Sequence, residues 1–458
     1  MSTANSVARE ASDAVRADIH GDAFVPGDPG YDGARRAWAL TADQRPAMVV
    51  EVASASDVAA AVRFAHSHGL RIAPQGTGHG AAPLEPLETA LLLRTSRLRG
   101  VRIDPDSRTA RADAGALWQD IVVPASAYNL AALAGTSLNV GVTGYTLGGG
   151  LGWLARRYGL AANSVTAAEI VLLDGRLIRA DSEHEPDLFW AVRGGGGSVG
   201  VVTSLEMQLY PVPELYAGVL FFPVQRAAEV LHSWRDWIKS LPDEVTSIGR
   251  ILRVPPLPTV PDQLRGRAFA MVEAAYSGDE ATGAELIAPL RKLGPEIDTF
   301  AAISAVTLGH LHMDPTEPVP AVGDGTLLTD FPAAAVDTLV GLAGAGADTM
   351  LISIEVRHLD GALRQPAAGG GALLSIDASY SLYATGVAAT PEAVATIGAH
   401  AQAVKDALGP WRARYDFYNM ADTPARAQAL LPAESYQRLR QIKTSHDPDN
   451  AIISAHPI

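Results

Sequence analysis

Residues 74–80 read PQGTGHG, placing one imidazole, His79, among small or conformationally permissive neighbours. A neutral imidazole is a good nucleophile near neutral pH. Glycines beside it leave no side chain in the way of a bulky ligand, and glycine-rich turns after a strand present backbone N–H groups to anions. Residues 141–152 (GVTGYTLGGGLG) and 194–200 (GGGGSVG) have the same character. Together these loops can supply amides to the pyrophosphate or ring edge of one long anionic ligand. Glycines that serve only tight turns would give the same spacing.

A second constellation lies in LISIEVRHL, residues 351–359. Strand alternation puts Ser353, Glu355 and Arg357 on one face and His358 on the other. There a carboxylate can take a proton or bind substrate, and a guanidinium can anchor a carbonyl or carboxylate; an Arg/Glu pair on a solvated strand face is the alternative. Tyr145, inside the second glycine stretch, and the pair His310 and His312 in LGHLHMDP are secondary candidates. An H-x-H spacing can ligate metal on a strand, but no third ligand stands at a supporting offset, so the histidines are read as packed and no metal is expected.

Two stretches imitate a dinucleotide fingerprint: GLGWLA, residues 150–155, with Glu169 near the ribose-binding offset, and GGGSVG, residues 195–200. A Rossmann turn needs a buried strand before the glycines and a helix after them. Here a helix-like run precedes the later glycines and a strand follows, while the earlier ones follow a glycine-rich loop. Neither is read as a nicotinamide site.

Composition narrows the remaining classes. The 458 residues are 48% hydrophobic and 19% charged, which suits a well-packed chain of two domains. With 36 basic against 50 acidic residues the net charge is −14, so nucleic acid is not an expected partner. Cysteine is absent, which excludes disulfides, thiolate nucleophiles and cysteinyl cofactor bonds. The four lysines, Lys239, Lys292, Lys405 and Lys443, lie outside any Walker loop. The first 20 residues lack the apolar core of a signal peptide and no apolar run is long enough to span a bilayer, so a cytoplasmic location without a membrane is expected.

The elements that must position these residues follow from periodicity. Residues 47–76 parse as strand, helix, strand, with Ser54 or Ser56 capping, Val58, Ala61, Val62 and Ala65 on one face, and Gly69 as the stop. Residues 101–115 and 169–181 read as hairpins, the latter turning at Asp174-Gly175. Prolines cluster over 211–224, and a domain boundary is placed near residue 212. Beyond it come a helix over 225–241, strands over 247–254 and Ala268–Tyr276, and a helix opened by a capping box in Ser277-Gly278-Asp279-Glu280. A helix over 391–408 ends at Gly409-Pro410, and a short strand over 415–420 and a helix over 432–445 follow.

PQGTGHG, VGVTGYTLGGGLGWLARRYGLAANSV, DLFWAVRGGGGSVGVVT and YQRLRQIKTSHDPDN, in this order, resemble the vanillyl-alcohol-oxidase superfamily of FAD enzymes. Within it the chain is similar to the berberine-bridge-enzyme-like and 6-hydroxy-D-nicotine-oxidase-like branch. The resemblance implies an α+β, two-domain PCMH-type fold. Residues 1–212 would form the FAD domain, 213–408 a substrate domain of antiparallel sheet and helices, and 409–458 a segment completing the FAD domain.

By that resemblance His79 bonds covalently to the 8α-carbon of FAD. Ser137 stands where some relatives place a second, cysteinyl attachment, so a single bond is expected. The flavin site would draw on Gln75, Gly76, Thr77, Gly78 and Gly80, on Gly115, and on Thr136, Ser137, Val140, Gly141, Gly144 and Tyr145. It would add Gly148, Gly149, Gly150, Trp153 and Asn163, then Val202 and Asn419. Glu355 becomes the leading base or substrate-binding acid and Arg357 the anchor. Berberine-bridge-like enzymes show Tyr-x-Asn-Tyr or Tyr-x-Asn-Phe near the C-terminus, where this chain has Phe417-Tyr418-Asn419-Met420. Asn419 matches, while Tyr418, kept as a catalytic candidate, is shifted by one and expected on the opposite face.

The implied reaction is hydride transfer to flavin N5 from a C–H of a small alcohol, amine or sugar-like secondary metabolite, with O2 reoxidising the flavin to give H2O2. A flavin dehydrogenase with another acceptor and a silent flavin-binding protein are the alternatives. The expected partners are a small-molecule substrate and oxygen, and the expected state is a monomer or homodimer.

Overall fold

In the computed structural model, which describes residues 13–84, 86–258 and 260–458, Met48–Glu51 is a strand and Ala55–Ser67 a helix. Residues 1–12 of the amino-terminal stretch considered above lie outside the described residues. Ser54 caps the helix, its hydroxyl accepting from the Asp57 amide at 3.1 Å. The buried Asp57 carboxylate accepts from the amides of Ala53 at 2.9 Å and Gly21 at 3.0 Å, which fixes the angle between strand and helix. Val58, Ala61, Val62 and Ala65 are fully buried, and Gly69, at φ 66°, turns the chain into the strand Arg71–Gln75. Both strands pair in parallel with Ala90–Arg94, and Asp22–Phe24 completes a four-stranded sheet.

The two expected hairpins, Val101–Asp104 with Thr109–Asp113 and Val165–Val171 with Leu177–Asp181, join Val201–Gln208 in a five-stranded antiparallel sheet. Helix Pro186–Val192 precedes the glycines at 194–200 and a strand follows them, the reverse of the Rossmann order. Glu169 pairs with Arg111 at 2.7 Å and accepts from Ser204 at 2.8 Å, which gives it a structural place inside this sheet.

An eight-stranded antiparallel sheet extends from Tyr216–Pro223 to Tyr380–Val387 in sequence. Its central strands are Ala268–Tyr276, Val245–Arg253, Ser353–His358 and Tyr380–Val387, with Ala321–Leu328 beyond. Helices Ala227–Trp237, Glu280–Arg291, Ala333–Ala343 and Pro391–Ala407 pack on one face. There Val230, Trp234, Ile287, Leu339 and Val404 bury Ile251, Val272, Ile354, Val356, Leu382 and Ala384 in one apolar cluster. Because strand side chains alternate, this same packing turns Ser353, Glu355, Arg357, Tyr383 and Thr385 to the other face.

Two local expectations are corrected. The helix Glu280–Arg291 opens with Asp279 as its cap, accepting from Thr282 N–H at 2.9 Å, and not with a Ser277/Glu280 capping box. Residues 415–420 do not form a strand: the Met420 amide donates to the Phe417 carbonyl at 2.9 Å and closes a 3-10 turn at Tyr418–Met420. Among the described residues no helix is long and apolar enough to cross a membrane.

After helix Ala433–His446 the chain returns to the first sheet. Ile72 N–H donates to Ala451 O, and Ile453 N–H to Ile72 O, each at 2.8 Å. Lys443 fastens this return, its ammonium reaching Ser198 O and Ile452 O at 3.0 Å and Asp447 at 2.5 Å. Lys443 is 6% exposed and Asp447 1%. Removing one member of a buried ion pair strands the other charge, so Lys443→Met is expected to cost about 3–5 kcal/mol. Urea unfolding checks this, and a change within about 0.5 kcal/mol, typical of a surface substitution, would contradict it.

Candidate functional site

A cavity of about 1310 Å³ opens between the glycine-rich loops and the free face of the eight-stranded sheet. Its first wall carries the whole run Gln75, Gly76, Thr77, Gly78, His79 and Gly80. Thr136, Ser137, Val140, Gly141, Gly144, Tyr145 and Val202 line it too, together with Gly196, Gly197 and Gly200. The wall is made close by backbone geometry. Gly78 sits at φ 82°, and a Cβ there would strike Ala37 at 2.8 Å. A Cβ on Gly80 or Gly144 would meet none of the described residues within 4 Å.

His79 is half-buried against the indole of Trp38, the rings stacked 4.3 Å apart at 20°. Loss of water drives its pKa down to about 4, against the weaker pull of Asp314 and the Asn139 backbone. The ring is therefore neutral at pH 7, and its Nε2 finds no partner among the described residues. Gln75 Nε2, Thr143 Oγ1 and the Tyr145 hydroxyl, all on cavity-lining residues, are likewise buried without partners. Buried polar atoms are nearly always satisfied, so this row of open donors and acceptors fits a ligand with many hydrogen-bonding atoms. The volume also exceeds the usual ~300–1,000 Å³ of a pocket for one small molecule.

Several residues expected to touch a flavin stand behind this wall. A Cβ on Gly115 would meet Thr95 O at 2.0 Å, and Gly148, Gly149 and Gly150 pack against Asn419, Phe417 and Tyr145. Trp153 is buried edge-on to the His312 ring at 6.4 Å. Asn163 donates to Leu373 O and accepts from Gly371 N–H, both at 3.2 Å. These six are outside the cavity lining. Their small size or their hydrogen bonds let neighbouring segments close together behind the cavity wall.

Asn419 does line the cavity, and it staples the wall: its Oδ1 accepts from Gly150 N–H and its Nδ2 donates to Tyr145 O, each at 3.0 Å. Tyr418 lines it as well, contrary to the opposite-face expectation, because a 3-10 turn does not alternate as a strand does. Burial pushes the Tyr418 phenol up to about 12, and its oxygen sits 3.4 Å from both Gly196 O and His456 N. The Tyr145 phenol is raised further still, by burial.

The sheet wall is charged and dry. Arg357 grips Glu355 Oε1 through Nη2 at 2.6 Å and Nε at 2.7 Å, and Glu355 Oε2 meets His312 Nε2 at 2.7 Å. His312 Nδ1 meets Glu273 at 2.5 Å, and Arg250 bonds Glu273 at 3.0 Å and Ser353 Oγ at 2.8 Å. Glu355, His312 and Glu273 are 2%, 3% and 0% exposed, which removes the solvated-face alternative. Burial and Arg250 push His312 down, but Glu273, Glu355 and Asp314 outweigh them and lift it to about 9. Burial would raise Glu355, yet Arg357, His312 and Arg250 hold it well below the usual carboxylate range. His310 is exposed in the turn after helix Ala305–Leu308, so the H-x-H pair does not lie on a strand. Among the described residues no cluster of three or more His, Cys, Asp or Glu is arranged to hold a metal ion.

Opposite Glu355 in strand register stands Tyr383, whose hydroxyl donates to the Asp422 carboxylate. Both residues line the cavity. Asp422 is drawn in by its own amide, which donates to Asp324 at 3.0 Å, while Asp324 holds Lys405. Burial pushes Asp422 up to about 6, helped by Asp324 and opposed by the Tyr383 hydrogen bond and Lys405. Sequence reasoning missed this pair, as it missed Trp38. Strand alternation could have placed Tyr383 on the cavity face, and Asp422 follows Asn419 by three residues.

Comparison with known proteins agrees with this geometry. Residues 46–181 match the family model described as an FAD binding domain. The chain is 34% identical over 230 residues to (R)-6-hydroxynicotine oxidase of Paenarthrobacter nicotinovorans, an alignment covering 50% of each chain. It thus spans about half the length of that curated relative. The crystal structure of 6-hydroxy-D-nicotine oxidase from Arthrobacter nicotinovorans superposes with a TM-score of 0.80 at 25% identity, over 95% of this chain and 96% of that one. The berberine-bridge-enzyme-like protein 1 of Physcomitrella patens gives 0.84 at 18% identity over 98% of both chains. Residues 46–181 are thus an FAD-binding domain, set in a chain with the PCMH-type α+β fold of the berberine-bridge-like and 6-hydroxynicotine-oxidase-like FAD oxidoreductases.

Proposed function

We propose that this chain is an FAD-dependent oxidase of a small organic molecule, taking a hydride from a carbon that carries an alcohol or amine. One observation carries the reading: a neutral His79, unpaired among the described residues, faces on one wall the same cavity as the acid groups of Glu355 and Asp422 on the other. When bound, FAD supplies the hydride acceptor and hands the electron pair to oxygen. His79 would supply the covalent tether through its unprotonated, uncommitted ring: the nitrogen would replace one hydrogen of the 8α-methyl group, and the two electrons and two protons released would pass to the flavin and then to oxygen. The amides of Gly76–Gly80 and Gly141–Gly144 and the hydroxyl of Thr143 hold the polar parts of the cofactor.

The two acid groups divide the remaining work. A carboxylate held as strongly ionised as Glu355 is a weak proton acceptor, so it serves as the substrate-binding acid beside the Arg357 anchor. The Tyr383–Asp422 pair is better matched. Asp422 takes the Tyr383 proton while the Tyr383 oxygen takes the proton of the substrate O–H or N–H. Asp422 titrates near the working pH, where a general base is most effective. Two environments that push neighbouring carboxylates apart assign one to anchoring and the other to proton transfer.

Two outcomes are expected. Acid-denatured wild-type protein should precipitate yellow, while His79→Ala should release its flavin to the supernatant; pigment lost from the wild type would contradict the tether. With an alcohol or amine that bleaches the flavin anaerobically, kcat/KM should rise as pH increases through about 6, because Asp422 must be ionised to accept a proton. Asp422→Asn should remove that limb and slow turnover by about 10²–10⁴. A rate unchanged between pH 5 and 8, or an Asp422→Asn variant of full activity, would sink the assignment.

A further inference from the structure

The cavity face of the eight-stranded sheet is graded along its strands. One register row holds Arg250, Glu355 and Tyr383. Two residues further along come Leu252, Ser353 and Thr385, and two further still Val254 and Val387, the latter paired with Ala321. All of these line the cavity. At about 3.4 Å per residue, the sheet goes from charged to aliphatic over roughly 14 Å. Leu257, Val260, Pro261 and Leu264, from the loop after Val254, line the same end, and Leu257 is 53% exposed.

Apart from Arg253 Nη1, which finds no partner among the described residues, the side-chain polar groups along this strip are engaged within the protein. The Ser353 hydroxyl oxygen accepts from Arg250 Nε at 2.8 Å, and the Thr385 hydroxyl donates to Val322 O at 3.0 Å. Arg253 reaches away, its Nη2 donating to Ala343 O at 2.8 Å and Gly344 O at 3.0 Å. A sugar carries a hydroxyl on nearly every carbon, and each one desolvated without a partner is a penalty. An aromatic or alicyclic body carries none.

Taking the cavity as the oxidation site proposed above, we infer that its substrate is amphipathic. The oxidisable carbon sits at the Glu355–Arg357–Tyr383 end, and an apolar ring or chain lies along Leu252, Val254 and Val387. Polyhydroxylated sugars are disfavoured, because Leu252 and Val254 offer their hydroxyls no partner. Leu252 and Val387 thereby become specificity-determining residues.

The test uses the protein as purified, with benzyl alcohol, 4-ethylbenzyl alcohol, 4-butylbenzyl alcohol, glucose and cellobiose as probes. Binding is read as a rise in melting temperature and, where flavin is present, as an anaerobic absorbance shift. Affinity should climb with alkyl length, 4-butylbenzyl alcohol binding at least about 10-fold tighter than benzyl alcohol, as added methylenes in an apolar pocket do. Glucose and cellobiose should cause no shift at the same concentrations. Leu252→Asn and, independently, Val387→Asn should flatten the dependence on alkyl length while leaving the yellow colour in place. The inference is overturned by binding of glucose or cellobiose, by affinity indifferent to alkyl length, or by no binding of any benzylic alcohol. Because binding is read without turnover, the two readings fail separately. Tight binding without bleaching would spare this inference and count against the oxidase; bleaching by glucose would do the reverse.

Discussion

A neutral imidazole, with one ring nitrogen shielded from water and unpaired among the described residues, is the constraint on which the rest of this molecule turns. Burying His79 costs its protonated form and so leaves the ring as a nucleophile at physiological pH. Keeping it there requires the Trp38 stack behind it, and Gly78 in a left-handed conformation close against Ala37. The strand–helix–strand unit, its Asp57 turn and the returning C-terminal segment fix the strand Arg71–Gln75, from whose end this loop departs.

The opposing wall depends on a different balance. Four helices cover one face of the large sheet, and alternation turns Arg250, Glu355 and Arg357 to the other, beside the apolar clusters around Ile248 and Phe269. Buried charges survive only when paired and hydrogen-bonded, which the run from Arg357 through Glu355, His312 and Glu273 to Arg250 accomplishes. Asp422 lies outside this chain of pairs. Its one strong donor is a phenol, so burial raises it while the same burial leaves Glu355 ionised. Charge pairing, more than depth, separates the two carboxylates.

Much of this was legible in the sequence, for physical reasons. The loop around His79, the hairpin at Asp174-Gly175 and the shared face of Ser353, Glu355 and Arg357 are local patterns, governed by turn chemistry and by the period of a strand. What depended on contacts between distant segments was not. Tyr383 and Asp422 meet across 39 residues, and His312 sits between carboxylates 39 and 43 positions away (273 to 312 and 312 to 355). The glycines at 148–150 look in sequence like those at 141 and 144, yet they admit Asn419, Phe417 and Tyr145 where the others face the cavity. A missing side chain shows that something approaches closely, and only the fold says whether that is ligand or chain. Tyr418 escaped the alternation argument because hydrogen bonding curled its segment into a turn.

The claim with most at stake is the bond at His79, and denaturing mass spectrometry of the purified chain tests it most directly. The account predicts an intact mass increased by one FAD, with the adduct on the peptide containing His79 and absent from the His79→Ala variant. An unmodified mass, or an adduct on any other residue, would contradict it.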